Sequence, residues 1–386
     1  MSSPQRPSGA TTYSALPLGS PARVLRQVCT WLEPGASPIE PLGSAHQPQE
    51  LVDLARAERL LGPLLVAVDA GALALPDRVV TDVLRDHQEA MLWCLHLDAN
   101  LLEVALWFEG AGGVDFRVLK GSAVSHLDEP DPSLRFFSDL DLLIAASDMD
   151  RAIAVLERHG AVRRLPQRRP GFDRRFGKGV GMTCSDGMEI DVHRTLTGLA
   201  HGFRIPLDDL FADPEAFQVG GETFLALSAP HRALHAAYHA VAGSQFPPLR
   251  TLRDMAGYLG REDLGPEVLA PIAERWGGTA VLAEAVRATL DACPVDIVVW
   301  EEWLARVEVD PAETVLLERG RHPGAARWPV EWSTVRELSW KDRASFLWAV
   351  AMPASEVLAQ RGLSPVARLG QGVRRVAGRL DRNRAR

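Results

Sequence analysis

The spacing of hydrophobic residues changes twice along the chain. From residue 21 to residue 110, apolar side chains recur every three or four positions, for example at Leu51, Leu54 and Leu61. This period is that of amphipathic helices. The first part of the chain is therefore predicted to be helical, with a long helix over 77–108.

A segment with a period of two follows Gly110-Ala-Gly-Gly113, where the helical pattern ends. Alternating polar and apolar residues are typical of strands with one buried face. Beyond Ser228 the helical period returns, interrupted at Pro247-Pro248. The predicted strands are 116–120, 135–144, 161–165, 188–193 and 222–227, and the predicted later helices are 148–159, 230–242, 249–259, 266–276 and 280–293.

These changes of period predict an α+β chain in which helical regions flank a mixed β-sheet. The first 20 residues are rich in Ser, Pro, Gly and Ala, a composition that predicts a flexible leader. The predicted divisions are the leader at 1–20, an N-terminal helical region at 21–110, a mixed α/β core at 111–227, a C-terminal helical domain at 228–370 and a basic tail at 371–386.

Charge is unevenly distributed. The chain has 42 Lys and Arg against 50 Asp and Glu, a formal net charge of −8, yet its last 26 residues hold eight arginines and one aspartate. Proteins that coat nucleic acid need clustered positive charge to neutralise phosphates. The acidic bulk therefore disfavours nucleic acid as a partner, and only the Arg-rich tail keeps that option open.

Cysteine usage and hydropathy point to the cytoplasm. The four cysteines form no C-x-x-C pair, which excludes the usual zinc-ribbon spacing and a small disulfide framework. The apolar stretch at 346–358 is too short and too interrupted to span a bilayer, and the N-terminal sequence lacks the apolar core of a signal peptide. We expect a cytoplasmic protein without a membrane partner.

The strongest chemical signal is Ser138-Asp-Leu-Asp-Leu-Leu-Ile144. On a strand, Asp139 and Asp141 project to one face, while Leu140 and Leu142 face the core. Paired carboxylates repel each other unless a cation neutralises them, and hard oxygen ligands suit Mg²⁺ or Mn²⁺. A solvated strand face is the alternative interpretation of the pair taken alone.

A second strand repeats the alternation. In Met188-Glu-Ile-Asp-Val-His193, the side chains of Glu189, Asp191 and His193 share one face. A third acid can thus join the first two from a neighbouring strand.

A glycine turn precedes the acidic strand. The apolar strand ends in Leu119-Lys-Gly-Ser-Ala123 and leads into a helix-like stretch. Gly121 lets the backbone approach a phosphate, Ser122 offers a hydroxyl, and the amides at a helix N-terminus face anions. For Gly121 alone, a simple turn is the alternative.

This combination resembles the nucleotidyltransferase superfamily that includes DNA polymerase β, with its Gly-Gly or Gly-Ser turn, D-x-D or D-x-E strand and later Asp. The resemblance narrows to the uncharacterised bacterial nucleotidyltransferase family, in which a Lys-Gly turn precedes an R-x-x-x-D-x-D-x-L strand and the third acid stands in a strand similar to E-I-D-L-H. The matching segments are Lys120-Gly121, Arg135-Phe-Phe-Ser-Asp139-Leu-Asp141-Leu142 and Glu189-Ile-Asp191-Val-His193.

The likeness continues beyond the acids and covers about residues 50–260. Leu227-Ser-Ala-Pro230 resembles the family's Leu-Ser-Pro, and a helix with His235 and His239 and an Arg250-x-x-x-Asp254 helix follow. One departure is Arg194, which follows His193 where the family often has an aromatic residue.

The resemblance implies a minimal polymerase-β-like core and metal-assisted transfer of a nucleoside monophosphate, with pyrophosphate as the leaving group. It implies two Mg²⁺ ions held by Asp139, Asp141 and Asp191. It implies an NTP as one substrate, and the acceptor stays open. ATP is taken as the default NTP because of its abundance. The residues implied for the nucleotide are Lys120, Gly121, Ser122, Arg135 and Ser138, and those proposed for the surrounding pocket are Glu189, His193, His235, His239, Arg250 and Asp254.

Other functions remain open from the sequence. A glycosyltransferase also uses D-x-D to hold a metal, but it needs a βαβ fold before that motif, where this chain has helices. A nucleotide-binding partner that has lost catalysis, as in toxin–antitoxin systems, is a third hypothesis. For His235 and His239, a packing or capping role is the alternative to a pocket role.

Overall fold

The structure is a computed structural model in which residues 12–33, 36–198, 200–321 and 332–360 are described. The chain forms two units, each assembled from three segments. The first unit comprises Met1–Leu102, Val118–Ser138 and Asp208–Pro323. The second comprises Glu103–Arg117, Asp139–Leu207 and Gly324–Arg386.

Helices make up most of the described chain, and their bounds follow the apolar periodicity closely. The predicted helix 249–259 is observed at those residues. The helix predicted at 266–276 ends one residue earlier, and those predicted at 230–242 and 280–293 begin and end one residue earlier. The described α-helices are α1 (Pro21–Thr30), α2 (Pro48–Glu58), α3 (Leu61–Asp69), α4 (Asp77–Gly110), α5 (Lys120–Leu127), α6 (Met149–Arg158), α7 (Phe172–Phe176), α8 (His201–Arg204), α9 (Ala229–Val241), α10 (Leu249–Leu259), α11 (Pro266–Arg275), α12 (Thr279–Ala292), α13 (Val298–Arg306), α14 (Pro311–Arg321), α15 (Trp332–Glu337), α16 (Trp340–Ala351) and α17 (Ser355–Gln360).

The described strands are short, and their pairing is both parallel and antiparallel. They are β1 (Phe116–Val118), β2 (Leu140–Ile144), β3 (Val162–Arg163), β4 (Gly179–Thr183), β5 (Glu189–His193), β6 (Glu215–Val219) and β7 (Glu222–Ala226). The predicted α+β fold with a mixed sheet is confirmed.

In the second unit, the strand order is β3-β4-β5-β2. Strand β5 pairs antiparallel with β4 and parallel with β2. All five residues of β2 are buried, including Asp141, as is usual for a strand that is covered on both faces. Helix α6 contributes a buried apolar face that includes Ile153 and Leu156.

In the first unit, β7 pairs parallel with β1 at Val118 and antiparallel with β6. Helices α9, α10 and α12 pack on one another, and α1 packs on α2 and α10. Helix α2 begins with a capping box in which Gln47 and Glu50 bond each other's backbone. The first unit buries two whole tryptophans, Trp276 and Trp300.

One predicted strand begins later than expected, and two observed strands were not predicted. The strand predicted at 135–144 begins only at Leu140, because residues 132–134 form a 3₁₀ turn and Arg135 is held by an ion pair. Strands β4 and β6 were not predicted: β4 holds glycines at 179 and 181, which lower strand propensity, and β6 follows a 3₁₀ turn at Asp208–Leu210.

Helix α4 is the one described helix that is long and apolar enough to cross a membrane by length and composition. Its most apolar 18-residue window has a mean hydropathy of 1.2 and is 28% buried. One such helix, identified by length and composition alone, assigns no membrane to the chain.

The predicted division into regions remains a prediction. The basic tail at 371–386 lies outside the described residues, as do residues 1–11 of the predicted leader.

Candidate metal centre

Two parallel strands bring acidic residues to one level of the sheet. Asp141 of β2 is the register partner of Asp191 of β5, and Leu140 is the partner of Ile190. Because register partners on adjacent strands point to the same face, the two carboxylates are neighbours. Asp141 is buried, and the Asp191 side chain is about one-third exposed.

His193 completes a three-residue group. One ligand atom each of Asp141, Asp191 and His193 lies within 4.8 Å of the other two. The imidazole Nε2 of His193 is 2.7 Å from Oδ1 of Asp141, and both side chains are only 3% exposed. Carboxylate oxygens are the ligands that Mg²⁺ and Mn²⁺ prefer, and imidazole is a ligand of several divalent transition metals. The group therefore fits a divalent cation.

The predicted acid Asp139 lies outside this group. It stands one residue before β2 begins and is half-buried. Among the described residues, the potential ligand atoms that meet are those of Asp141, Asp191 and His193. The metal role of Asp139 stays a prediction.

An arginine reaches the same group from the far edge of the sheet. The Arg164 guanidinium donates hydrogen bonds to Asp191 and, at 2.8 Å, to Oε2 of Glu189. Its backbone N–H donates to the carbonyl of Gly181 at 2.9 Å. Gly181 is the register partner of Asp191, and a Cβ there would collide with the Arg164 guanidinium. The absence of a side chain at Gly181 is what lets Arg164 cross β4.

Sequence reasoning missed Arg164. The contact between Arg164 and Asp191 depends on two residues that are separate in the sequence. Arg164 lies at the end of a predicted strand, and Gly181 lies in a strand that was not predicted. Only the pairing of β3, β4 and β5 connects them.

The comparisons bear on what this group is. A model of the family described as uncharacterised nucleotidyltransferase matches residues 44–289, and this range contains the whole group. The chain belongs to the uncharacterised nucleotidyltransferase family. The family implies a transferase that uses an NTP.

Other comparisons are remote. Among solved structures, the chain is similar to an antigenic nucleotidyltransferase-like protein from Paracoccidioides brasiliensis, with 14% identity, 53% of this chain and 96% of that chain covered, and a TM-score of 0.31. No curated protein matches the chain.

The backbone at the glycine of the Lys120-Gly-Ser turn is non-helical. Gly121 has φ 43° and ψ −115°, inside α5, a conformation that favours glycine. A Cβ at Gly121 would also lie 3.3 Å from the Phe137 ring. Ser122 is buried, and its carbonyl accepts a hydrogen bond from Ser125 Oγ at 2.9 Å.

Four residues predicted for the site meet in the first unit. Lys120 of α5, His235 and His239 of α9 and Asp254 of α10 line one small cavity. His235 is buried and His239 is exposed. Arg250 lies half-buried in the first turn of α10.

Arg135 is held by Asp254. Its Nε and Nη2 donate to the two carboxylate oxygens at 3.0 and 2.7 Å. Burial alone would lower the pKa of Arg135, but the Asp254 carboxylate raises it above its usual value. Ser138, by contrast, is contacted by α4 and the end of α2: its Oγ accepts from Arg59 at 3.1 Å and its carbonyl accepts from Trp93 Nε1 at 3.4 Å.

The departure from the family pattern at Arg194 has a structural counterpart. The Arg194 guanidinium lies 5.1 Å from the Phe203 ring centre, and its Nε donates to the Gly177 carbonyl at 2.8 Å. Burial lowers the pKa of Arg194 to about 10.

Proposed function

We propose that the protein transfers a nucleoside monophosphate from an NTP, by default ATP, to a hydroxyl-bearing acceptor and releases pyrophosphate. The observation that carries the proposal is the meeting of Asp141, Asp191 and His193 on adjacent strands, in a chain of the nucleotidyltransferase family. The acceptor, a small molecule or a peptide, is not chosen by these residues, because one fold serves many acceptors.

Asp141 and Asp191 would hold Mg²⁺, with Asp139 as a third carboxylate on the strength of the resemblance. His193 orients Asp141 through its 2.7 Å hydrogen bond, and Mn²⁺ suits the same donors. When bound, two such ions neutralise phosphate charge and lower the pKa of the acceptor hydroxyl.

The phosphates are assigned to the glycine turn on the resemblance. Lys120, Gly121 and Ser122 would bind them, with charge from Arg135 and a further contact from Ser138. In the reaction, the acceptor oxygen bonds to the α-phosphorus, the bond from that phosphorus to the bridging β-oxygen breaks, and the hydroxyl proton is released. The protein mainly positions the reactants and neutralises charge.

We place this reaction in the cytoplasm. The cysteines of the described chain, Cys29, Cys94, Cys184 and Cys293, are all free thiols, which agrees with a reducing compartment.

The proposal is tested by pyrophosphate release. Wild-type protein is incubated with each NTP, Mg²⁺ and a host extract as the source of acceptor. We expect release from the wild type and its loss in Asp141→Asn and Asp191→Asn. Asp150→Asn is the matched control, because Asp150 is an exposed acid of the same unit that pairs with Arg174 at 3.2 Å.

Equal release by the wild type and the two metal-site variants would contradict the proposal. If the wild type alone releases pyrophosphate, the acceptor is identified as the component of the extract whose mass rises by one nucleoside monophosphate.

A further inference from the structure

A cleft of about 570 Å³ opens in the first unit beside α4, a size typical of small-molecule sites. As far as the described residues go, its lining includes none of the residues predicted for the metal or the glycine turn. We call it the Arg59 cleft, and the lining residues used below are Arg56, Arg59, His87, Glu89, Trp93 and Phe136.

The backbone of Arg59 indicates that its side chain matters. Arg59 ends α2 with φ 62° and ψ 40°, the left-handed conformation in which glycine is usual. A side chain at such a position is retained at a cost, and strained residues cluster at functional sites. Here the guanidinium carbon lies 5.1 Å from the Phe136 ring centre, and Nη1 donates to Ser138 Oγ.

Two charges in the lining are left for a ligand. Arg56 is neutralised by Asp53 at 2.7 Å and Asp86 at 2.5 Å. Within the described part of the chain, neither Arg59 nor Glu89 forms an ion pair. The cleft thus offers one cation and one carboxylate.

The remaining walls are aromatic or neutral. Trp93 and Phe136 both line the cleft, and aromatic side chains stack on the planar ring of any nucleobase. Burial lowers the pKa of His87, so its ring is neutral at pH 7 and acts as a hydrogen-bonding group.

These features match one chemical class. We propose that the Arg59 cleft binds a nucleotide whose base carries an exocyclic amino group, with the base against Trp93 and Phe136, the amino group donating to Glu89, and Arg59 donating to an acidic group. Adenine, cytosine and guanine have such an amino group and uracil does not. The proposal rests on the proposed function in that the nucleotide is one of the two substrates, either the donor or a nucleotide-like acceptor.

The test is nucleotide binding in EDTA, which removes the contribution of metal. The probes are AMP, CMP, GMP and UMP, titrated into the full chain by calorimetry. We expect the three amino-bearing nucleotides to bind about tenfold more tightly than UMP, as for one hydrogen bond to a charged group. Glu89→Gln should reduce that preference.

Arg59→Gly is the decisive variant, because glycine accepts the left-handed backbone and so keeps the end of α2 intact. We expect its melting temperature to equal or exceed that of the wild type and its affinity for AMP to fall about tenfold. Arg78→Gln is the matched control, since Arg78 is an exposed arginine of α4 outside the lining.

Each outcome decides the matter. The proposal for the Arg59 cleft is wrong if the wild type does not bind AMP, or if Arg59→Gly and Phe136→Leu both bind AMP as the wild type does. This holds even if pyrophosphate release is intact. AMP binding that these variants abolish would support the cleft even if no pyrophosphate is released, in which case the proposed function alone fails. A raised KM for ATP in Arg59→Gly assigns the cleft to the donor, and an unchanged KM assigns it to the acceptor.

Discussion

Arg164 donates a hydrogen bond to Asp191 across a strand whose intervening residue is Gly181. The same guanidinium binds Glu189, so one cation faces two of the acids that the sequence assigned to the site. Carboxylates in close proximity repel unless a positive charge lies between them. Arg164 supplies that positive charge from within the chain. A metal ion would have to compete with the Arg164 guanidinium for the Asp191 carboxylate.

Removing Arg164 should strengthen metal binding. In Arg164→Gln, Asp191 and Glu189 lose their internal cation, and we expect the affinity for Mn²⁺ to rise roughly tenfold, about 1.4 kcal/mol. The measurement is a titration followed by the paramagnetic resonance signal of free Mn²⁺, which needs no turnover.

The neighbouring arginine provides the control for that titration. Arg163 pairs with Asp173 at 2.9 Å and Glu157 at 3.4 Å, away from Asp191, so Arg163→Gln should bind Mn²⁺ as the wild type does. Equal or weaker Mn²⁺ binding by Arg164→Gln would show that the arginine supports the metal instead of competing with it.

Gly181 should act through Arg164. A methyl group in Gly181→Ala occupies the space that the guanidinium crosses, so we expect a similar rise in Mn²⁺ affinity. Because both changes remove the same contact, the double variant Arg164→Gln/Gly181→Ala should bind no more tightly than either single one. Additive effects would place the action of Gly181 elsewhere.

Metal should stabilise the fold through the same group. A ligand that binds only the folded state raises the free energy of unfolding, by about 2.7 kcal/mol at a concentration 100 times Kd. We expect added Mn²⁺ or Mg²⁺ to raise the melting temperature of the wild type and of Asp150→Asn, but not of Asp141→Asn. A rise of equal size in Asp141→Asn would exclude this group as the metal centre.

The sequence predicted what depends on local periodicity and missed what depends on pairing. The face shared by Glu189, Asp191 and His193 follows from alternation. In β5, Glu189 and Asp191 are half-buried, while Ile190, Val192 and also His193 are buried. The periodicity of the sequence cannot show that Asp191 lies opposite Asp141, nor that His193 forms a hydrogen bond with Asp141, because strand register is set by tertiary contacts.

The same limit explains why the strand predicted at 135–144 was too long and why the sequence did not single out Arg59. Phe136 and Phe137 resemble a continuation of β2, yet the neighbouring Arg135 is bound by Asp254, which is remote in sequence. Arg59 lay inside a predicted helical region, where an arginine gives no signal. Its left-handed backbone is visible only once α2 is seen to end at Glu58.

Acid should destabilise the second unit through His201. Burial, with a further effect from Arg204, lowers the pKa of His201 from 6.5 to about 4. The unfolded chain then holds the proton more tightly than the folded one. The stabilising contribution is therefore complete above pH 6.5 and is lost as the pH falls towards about 4.

We expect the free energy of unfolding to fall across that window by up to about 3 kcal/mol. Urea titrations above pH 6.5 and near pH 4 would measure it, with His201→Gln as the comparison. The difference between the wild type and His201→Gln should depend on pH, and a constant difference would contradict the assignment to His201.

The ion pair of Arg135 and Asp254 should stabilise the fold. Their side chains are 15% and 9% exposed, so Arg135→Met leaves a nearly buried carboxylate without its bidentate partner. Breaking one side of a buried pair costs about 3–5 kcal/mol, and we expect a loss of stability of that order in urea unfolding. The double variant Arg135→Met/Asp254→Leu removes both charges and should recover much of the loss. If the single variant unfolds like the wild type but has a weaker affinity for ATP, the guanidinium serves the phosphates instead, as the resemblance implies.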